Sequence, residues 1–300
     1  MSWSLVSFAT GSDVGLGILR SDGNVVVPPA LKQWPTVLEL LDDWPNARAV
    51  LPSIEIEDAE IITYEDLLAP IRWPRKVVCA GVNYQHHIQE MGGEIPTGEW
   101  KPFFFLKPPT TTVIGPHDSI VLHSPDVAKY DWEAELAAVI GIGGRDIPVG
   151  RALNHVAGYC VANDISARGH HKRTAVPAAA FTYDWFASKS IDKSLPLGPG
   201  ITPAFLINDP QQLHIRLWVN GALRQDESTA DMICSVAELV AAASGTVTLE
   251  PGDVIATGTP SGVGGGQGLF LQAGDVVRTE ISGLGALENS VVAAAPLPLS

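Results

Sequence analysis

From residue 102 onward, short apolar runs alternate with turn residues along the chain. Apolar runs bounded by glycine, proline, asparagine or aspartate are typical of β-strands. Such runs lie at 103–107, 119–123, 134–143, 155–164, 214–219, 253–258 and 275–281. Their spacing predicts one β-rich domain in the second part of the chain.

Two local patterns add a hairpin and a helix to this domain. Asn220 and Gly221 are a typical type I′ turn pair, because both central positions of that turn need positive φ. Ser235 and Glu238 have the spacing of a helix-capping box, the residues after them are apolar, and Gly245 is a candidate left-handed stop. We therefore expect one long helix between residues 236 and 244.

Residues 1–70 have a different pattern and predict a small N-terminal α/β domain. The segments 2–10 and 23–29 look like strands separated by a turn, and 35–44 shows helical periodicity. Pro70 and Pro74 then stiffen the chain, as linkers often do. The prediction is a mostly β, α+β protein with domains at 1–70 and 71–300.

Composition narrows the class of protein. The chain has 300 residues, of which 46% are hydrophobic and 17% charged, so it carries enough apolar surface for a sizeable core. Acidic residues outnumber basic ones 33 to 19 and there is no Lys/Arg-rich run, which argues against a nucleic-acid partner.

The sequence also predicts a cytoplasmic protein without a membrane partner. No apolar stretch reaches the roughly 20 residues that span a bilayer, and the first residues do not resemble a signal peptide. Cys79, Cys160 and Cys234 are far apart in apolar runs, so we expect reduced core residues.

Familiar catalytic motifs are absent from the sequence. There is no GxxxxGK[ST], no GxGxxG between a strand and a helix, no HExxH and no GxSxG. The glycine-rich stretch 262–268 precedes a strand-like run, so we expect a loop beside a site and no helix N-terminus for a phosphate.

Three acidic residues form a candidate metal site. Glu133 and Glu135 are two apart in a predicted strand and share a face, and Asp164 ends another apolar run. The alternative is the solvated face of a strand, but the run after Glu135 is apolar on both faces, as in a central strand. Buried carboxylates need partners, and three oxygen ligands suit Mg²⁺ or Mn²⁺.

His87, Glu90 and Lys189 are candidate catalytic residues. On a helix His87 and Glu90 share a face, so the carboxylate can orient the imidazole as a general base; the alternative is a surface ion pair. His86 is either an exposed neighbour or a substrate contact. Lys189 could stabilise an oxyanion, or it could be an ordinary solvated lysine.

As an ordered set, several segments resemble the fumarylacetoacetate hydrolase family. They cover residues 76 to 290, at 77–92, 102–120, 130–147, 155–168, 187–201, 217–229 and 249–264. The resemblance implies a mixed β-sandwich roll, one divalent cation per subunit and a homodimer. It also implies hydrolysis or decarboxylation of acylpyruvates and related β-dicarbonyl acids.

The resemblance also implies roles for single residues. Glu133, Glu135 and Asp164 match the metal ligands, and His87 and Glu90 match a catalytic pair on a lid that orders when substrate binds. Lys189 matches the lysine of the KSxD segment, as the third catalytic residue. The expected substrate-binding residues are Tyr84, Arg168, His171 and Thr259.

Three departures from the family pattern bear on the substrate. His86 stands where an aspartate is usual, and Gly169 and His171 replace the acid and the glutamine of ARDxQ. An insert follows at 172–185, where Tyr183 and Trp185 either line an acyl pocket or pack at a subunit boundary. A second substrate carboxylate would have Lys107, Arg168 or Lys172 as a partner.

The predicted function is metal-dependent hydrolysis of a C–C bond in an acylpyruvate or β-diketo acid. His87 would activate water, Lys189 would stabilise the alkoxide, and the cation would stabilise a pyruvate enolate leaving group. The alternatives on this scaffold are an oxaloacetate decarboxylase and a hydroxy-dienedioate isomerase. A further alternative is a non-catalytic protein that binds a metal and a keto acid.

Overall fold

The structure, a computed structural model, describes residues 3–94 and 100–295. Its strands are β1 (Trp3–Thr10), β2 (Asp13–Arg20), β3 (Val25–Val26), β4 (Asp66–Leu68), β5 (Val77–Gly81), β6 (Phe103–Lys107), β7 (Val113–Ile114), β8 (Ile120–Leu122), β9 (Tyr130–Asp131), β10 (Ala134–Ile140), β11 (Val156–Asn163), β12 (Ser166–Ala167), β13 (Leu195–Pro203), β14 (His214–Val219), β15 (Ala222–Ser228), β16 (Val254–Ala256), β17 (Val276–Ile281) and β18 (Gly285–Ala293).

The α-helices of the described residues are short, with one exception. They are α1 (Val37–Asp42), α2 (Trp44–Val50), α3 (Gln85–Glu90), α4 (Pro109–Thr112), α5 (Pro125–Ala128), α6 (Val149–Ala152), α7 (Arg168–His171), α8 (Trp185–Lys189), α9 (Val236–Thr246) and α10 (Gly264–Gln267). None of these helices is long and apolar enough to cross a bilayer.

Two mixed sheets make up most of the fold. The larger has eleven strands in the order β3-β2-β1-β13-β11-β10-β16-β5-β6, with β4 beside β1 and β7 beside β13. The smaller has five strands in the order β15-β14-β17-β18-β8, and β12 pairs with β9. Most pairs are antiparallel, whereas β16 with β5, β7 with β13 and β8 with β18 run parallel. The predicted mostly β, α+β fold is confirmed.

The core lies on both faces of the larger sheet, because its central strands are apolar on both faces. Every residue of β10 and β11 is buried. Leu136 and Val161 belong to one hydrophobic cluster with α9 and the smaller sheet, whereas Ala137 and Cys160 belong to another with α1 and α2. This burial on both faces explains the continuous apolar runs in the sequence.

The N-terminal segment continues the larger sheet. Strand β1 pairs antiparallel with β13 through Leu5 and Ile201, and helix α1 begins after Thr36, whose hydroxyl accepts the Glu39 N–H at 3.2 Å. The domain boundary at residue 70 stays a prediction, as does the homodimer.

Most predicted elements are present, but several strands were missed and one helix end was wrong. The capping box of Ser235 and Glu238 is present, and Asn220 and Gly221 have φ of 52° and 76° at the β14–β15 turn. Helix α9 runs past Gly245 to Thr246 and ends in extended backbone at Val247. The longest missed strands are β2, β13 and β18, and the glycines of β2 and the glycines and prolines of β13 are typical of turns.

All three cysteines are free and buried, as predicted. Burial raises the pKa of the Cys160 thiol to about 12, so this thiol is protonated and behaves as a core residue.

Candidate metal and keto-acid site

The three predicted metal ligands meet where β10 and β11 join. Glu133 precedes β10, Glu135 lies within it, and Asp164 follows β11. Antiparallel pairing of Ala134 with Asn163 brings these ends together, and the Asp164 N–H donates to the Glu133 carbonyl at 2.8 Å. The three carboxylates, called the carboxylate trio below, are buried and offer ligand atoms within 4.8 Å of one another.

Two buried lysines contact the carboxylate trio. Lys189 Nζ donates to Glu133 Oε2 at 2.7 Å and to Asp164 Oδ2 at 2.8 Å. Lys107 Nζ donates to Asp164 Oδ1 at 2.7 Å and to the Ile165 carbonyl at 3.1 Å. Charge-assisted bonds of this kind stabilise ionised carboxylates away from water.

Arg168 holds the trio from another side, together with Asp131. Its Nη2 donates to Glu133 Oε1 at 2.7 Å, and its Nε donates to Asp131 Oδ2 at 2.8 Å. Asp131 is fully buried and also accepts the N–H groups of Gly264 at 2.6 Å and Gly265 at 3.0 Å. Asp131 therefore joins the glycine-rich segment to the arginine that positions Glu133.

The N–H contacts of Asp131 correct one prediction. Residues Gly264–Gln267 form the short helical turn α10, where a loop without a helix N-terminus was expected. Asp131 already accepts the first N–H groups of this turn, so they are engaged within the protein. The prediction that the glycine-rich segment lies beside the site is confirmed.

The charges in the trio fit a divalent metal. Burial, followed by the charges of Asp164 and Glu133, raises the pKa of Glu135 well above its ordinary value. For Glu133 the charges of Lys189 and Arg168 outweigh the effect of burial and lower the pKa. Glu135 accepts the Gly258 N–H at 2.8 Å but has no cation within 4.0 Å in the described part of the chain.

A charge count leads to the same conclusion. With every group ionised, four carboxylates would lie against three cations, and this excess of negative charge contributes to the raised pKa of Glu135. The carboxylates are Asp131, Glu133, Glu135 and Asp164, and the cations are Lys107, Arg168 and Lys189. A dication would reverse this excess and attract an anionic ligand.

His87 and Glu90 lie together on α3. His87 Nδ1 is 3.3 Å from Glu90 Oε2, and the His87 side chain is 6% exposed. Glu90 also accepts the Gly262 N–H, at 3.1 Å to one oxygen and 3.2 Å to the other. The glycine-rich segment therefore fixes Glu90, and Glu90 fixes the imidazole.

A cavity of about 760 Å³ joins these groups. His87, Glu90, Glu133 and Lys189 line it, so the histidine pair and Glu133 of the trio share one space. Phe105, His171, Tyr183 and Trp185, called the aromatic wall below, form another part of its lining. Trp185 stacks on Phe105 at 5.2 Å and meets the edge of His171 at 4.6 Å, measured between ring centroids.

Comparison with known proteins decides the family. Residues 76–292 match the family model described as fumarylacetoacetate (FAA) hydrolase C-terminal. The chain belongs to the fumarylacetoacetate hydrolase family. This is an enzyme family, and the buried trio fits metal binding within it.

Relatives within the family show which proteins this chain is similar to. It is 43% identical over 228 residues to the mitochondrial oxaloacetate tautomerase fahd2 of Xenopus laevis, covering 75% of this chain and 68% of that one. It is 42% identical over 228 residues to the oxaloacetate tautomerase YisK of Bacillus subtilis (strain 168), covering 75% and 72%.

A solved family structure is similar over nearly the whole chain. The maleylpyruvate hydrolase from Sphingobium sp. SYK-6, in complex with manganese (II) ion and pyruvate, has a TM-score of 0.75 and 31% sequence identity. The match covers 98% of this chain and 100% of that one.

Among the substrate-binding residues expected from the family, three line the cavity. They are Arg168, His171 and Thr259. The Thr259 hydroxyl donates to the Ala134 carbonyl at 2.9 Å and accepts from Gln225 at 2.8 Å, so internal bonds hold it.

Tyr84 differs from the expectation. It is fully buried in the hydrophobic core and is absent from the cavity lining, and its hydroxyl has no hydrogen-bond partner among the described residues. Its ring packs as a core residue at the start of α3, whereas His87, three residues later, reaches the cavity.

The expected partners for a second substrate carboxylate also need correction. Lys107 is buried against Asp164, and Arg168 is paired with Asp131 and Glu133. Lys172 is exposed and is not among the cavity-lining residues.

Asp131 was not predicted as part of the site. Its position two residues before Glu133, which is itself two residues before Glu135, continues the alternation of acidic residues and could have indicated it.

Gly169 has a steric reason to lack a side chain. A Cβ atom at this position would lie 1.8 Å from the Val127 carbonyl oxygen, because the α5 turn packs directly on α7. The acid that is usual in the family cannot fit here with this backbone.

Tyr183 and Trp185 of the insert at 172–185 both line the cavity. This position favours their role in an acyl pocket over packing at a subunit boundary.

Proposed function

We propose that this protein interconverts the enol and keto forms of oxaloacetate or a closely similar 2-keto dicarboxylic acid, with a divalent metal. The observation that carries the proposal is one cavity lined by both the His87–Glu90 pair and Glu133 of the trio. Two relatives at 43% and 42% identity are oxaloacetate tautomerases, which favours this reaction over hydrolysis.

Glu133, Glu135 and Asp164 are the residues that hold the metal, which when bound supplies positive charge to stabilise an enolate oxygen. Lys189, Lys107 and Arg168 pair with Glu133 and Asp164 and orient these two ligands. This role uses the ammonium of Lys189 differently from the oxyanion role expected from the sequence.

His87 carries the proton. Ketonisation removes the proton of the C2 hydroxyl, whose O–H bonding electrons become the π bond of the C2 carbonyl. The C2–C3 π electrons form the new C3–H bond with the proton that is added at C3. The Glu90 carboxylate only accepts hydrogen bonds, so Nδ1 of His87 bears the hydrogen and Nε2 is the basic nitrogen. Glu90 and Gly262 thus fix the ring of His87, which lines the cavity, and Nε2 would transfer the proton there.

Hydrolysis of an acylpyruvate is the second candidate. The similar solved structure is a maleylpyruvate hydrolase in complex with manganese and pyruvate. On this site the same His87 would take its proton from water. Decarboxylation of oxaloacetate would need no such base.

One assay separates these reactions. The enzyme is given freshly dissolved enol oxaloacetate with Mg²⁺, Mn²⁺ or a chelator, and the enol absorbance and the pyruvate concentration are followed together. Parallel samples receive acetylpyruvate or fumarylpyruvate in place of oxaloacetate. We expect metal-dependent loss of the enol faster than any release of pyruvate. Pyruvate formed in step with enol loss would favour a decarboxylase. Pyruvate formed only from acetylpyruvate or fumarylpyruvate would favour the hydrolase and contradict the proposal.

A further inference from the structure

Three lysine or arginine side chains line the cavity: Lys129, Arg168 and Lys189. Lys129 differs from the other two in its ion pairing. Arg168 and Lys189 are committed to carboxylates of the site, at 2.7 to 2.8 Å. Lys129 has no carboxylate within 4.0 Å in residues 3–94 and 100–295, although its ammonium lies 5.7 Å from the centroid of the Phe270 ring.

We propose that Lys129 binds the carboxylate at the far end of the substrate and so selects dicarboxylic over monocarboxylic keto acids. This inference rests on the proposed function, because it assumes that a 2-keto acid binds with its keto end toward the trio. No expectation from the sequence included this residue.

The backbone of Lys129 is held firmly beside the trio. Lys129 ends α5 in the left-handed region, with φ of 52°, and its N–H donates to the Pro125 carbonyl at 2.9 Å. Its own carbonyl accepts the Arg168 N–H at 3.1 Å. The residue that anchors Lys129 is therefore the one whose guanidinium reaches Glu133.

Close packing fixes the same turn from another side. The Val127 carbonyl oxygen approaches the Cα of Gly169 so closely that a Cβ atom would lie 1.8 Å from it. Gly169 also lines the cavity, so this backbone contact between the α5 turn and α7 lies at the cavity surface. Lys129 is thus fixed at its base, while the residue as a whole is exposed and lines the cavity, where its ammonium can meet a ligand.

The positive charge of Lys129 is the basis for the proposed preference for dicarboxylic keto acids. The cavity is lined by Glu90 and Glu133, which repel a second anionic group, and an unpaired carboxylate in such a site is unfavourable. A cation–π contact at an exposed site is weak, so a carboxylate can readily compete with Phe270 for the ammonium.

A matched pair of substrates tests this selectivity. Oxaloacetate and its 4-methyl ester share the 2-keto carboxylate and differ in the charge at the far end. In the wild type we expect kcat/KM to favour oxaloacetate by about tenfold or more, the usual scale for one hydrogen bond to a charged group. Lys129→Met should bring the ratio near one, and Lys129→Arg should restore most of it.

The control is Lys32→Met, which removes the same charge from an exposed position in the N-terminal segment and should keep the wild-type ratio. An unchanged ratio in Lys129→Met, or an equal loss in Lys32→Met, would overturn the proposal.

A binding experiment separates this proposal from the proposed function. Malate and lactate are stable 2-hydroxy acids that differ in the far carboxylate, and calorimetry with Mg²⁺ measures both without turnover. We expect malate to bind about tenfold more tightly to the wild type and to Lys32→Met, and to lose this advantage in Lys129→Met. If oxaloacetate is not turned over but this pattern holds, the tautomerase proposal fails and the Lys129 proposal stands. If turnover occurs and the malate preference survives in Lys129→Met, the reverse holds.

Discussion

The two sides of the cavity are built in different ways. The trio lies at the ends of β10 and β11, in the middle of the larger sheet, and each acid is buried. Lys129 and three members of the aromatic wall, His171, Tyr183 and Trp185, come from short helices and connecting segments, whereas Phe105 lies on β6. Tyr183 is 58% exposed. The side of the cavity that carries the trio, called the sheet side below, holds the carboxylates that metal binding needs in fixed positions. The residues of the opposite side can vary with the substrate.

The largest expected effect lies on the sheet side. Glu133→Gln removes a ligand oxygen and the charge that pairs with Lys189 and Arg168, so we expect Mn²⁺ affinity to fall by more than about 100-fold and turnover to be lost. Calorimetric Mn²⁺ titration measures this. The control is Glu288→Gln, an exposed carboxylate on β18. Equal Mn²⁺ affinity in Glu133→Gln and the wild type would contradict the metal site.

The second largest effect is expected on the reaction rate, from the substitution of His87 on α3. His87→Ala should slow the reaction by roughly 10² to 10⁴, because the proton carrier is lost, while Mn²⁺ affinity is retained. His86 is the matched control: its side chain is 58% exposed, it does not line the cavity, and its nearest acid is Glu227 at 3.4 Å. Losing such an exposed pair should cost less than about fivefold. Similar reaction rates for His87→Ala and His86→Ala would contradict the role of His87 as the proton carrier.

Asp131→Asn tests the link between the two sides. It weakens the bonds to Arg168 and to the N–H groups of Gly264 and Gly265, so we expect a loss of about 2–3 kcal/mol in the free energy of unfolding. Urea denaturation gives this value. A loss below about 0.5 kcal/mol would show that Asp131 contributes little to the link between the arginine and the glycine-rich segment.

The smallest effect is expected at the aromatic wall, from the protonation of His171. Burial, followed by the charges of Arg168 and Lys189, lowers the pKa of His171. The unfolded chain therefore binds the proton more readily, and stability falls as the pH drops below the unfolded pKa of about 6.5. His171→Gln should lose less stability between pH 7.5 and pH 5.5 than the wild type does. Parallel urea curves at the two pH values check this, and an equal loss in both proteins would contradict it.

How much was predictable differs between the two sides. Glu133, Glu135 and Asp164 could be found because strand alternation and apolar flanks are local signals, and the same signals predicted β10 and β11. Strand β13 could not be found, because Pro196, Gly198 and Pro199 are typical of loops and only pairing with β1 and β11 makes them a strand.

Partners distant in sequence were the hardest to predict. Nothing local shows that Lys107 pairs with Asp164, 57 positions away, or that Asp131 accepts N–H groups 133 positions away. As a result Lys107 was one of three candidate partners for a substrate carboxylate, Tyr84 was expected to bind substrate, and Lys129 was overlooked. Which charges remain unpaired is a property of the folded chain.

The most direct test of the metal site is anomalous X-ray scattering from crystals grown with Mn²⁺. We predict one strong manganese peak within coordination distance of Glu133, Glu135 and Asp164, at the cavity that His87 lines. A manganese peak away from these carboxylates, or none at saturating Mn²⁺, would contradict the account.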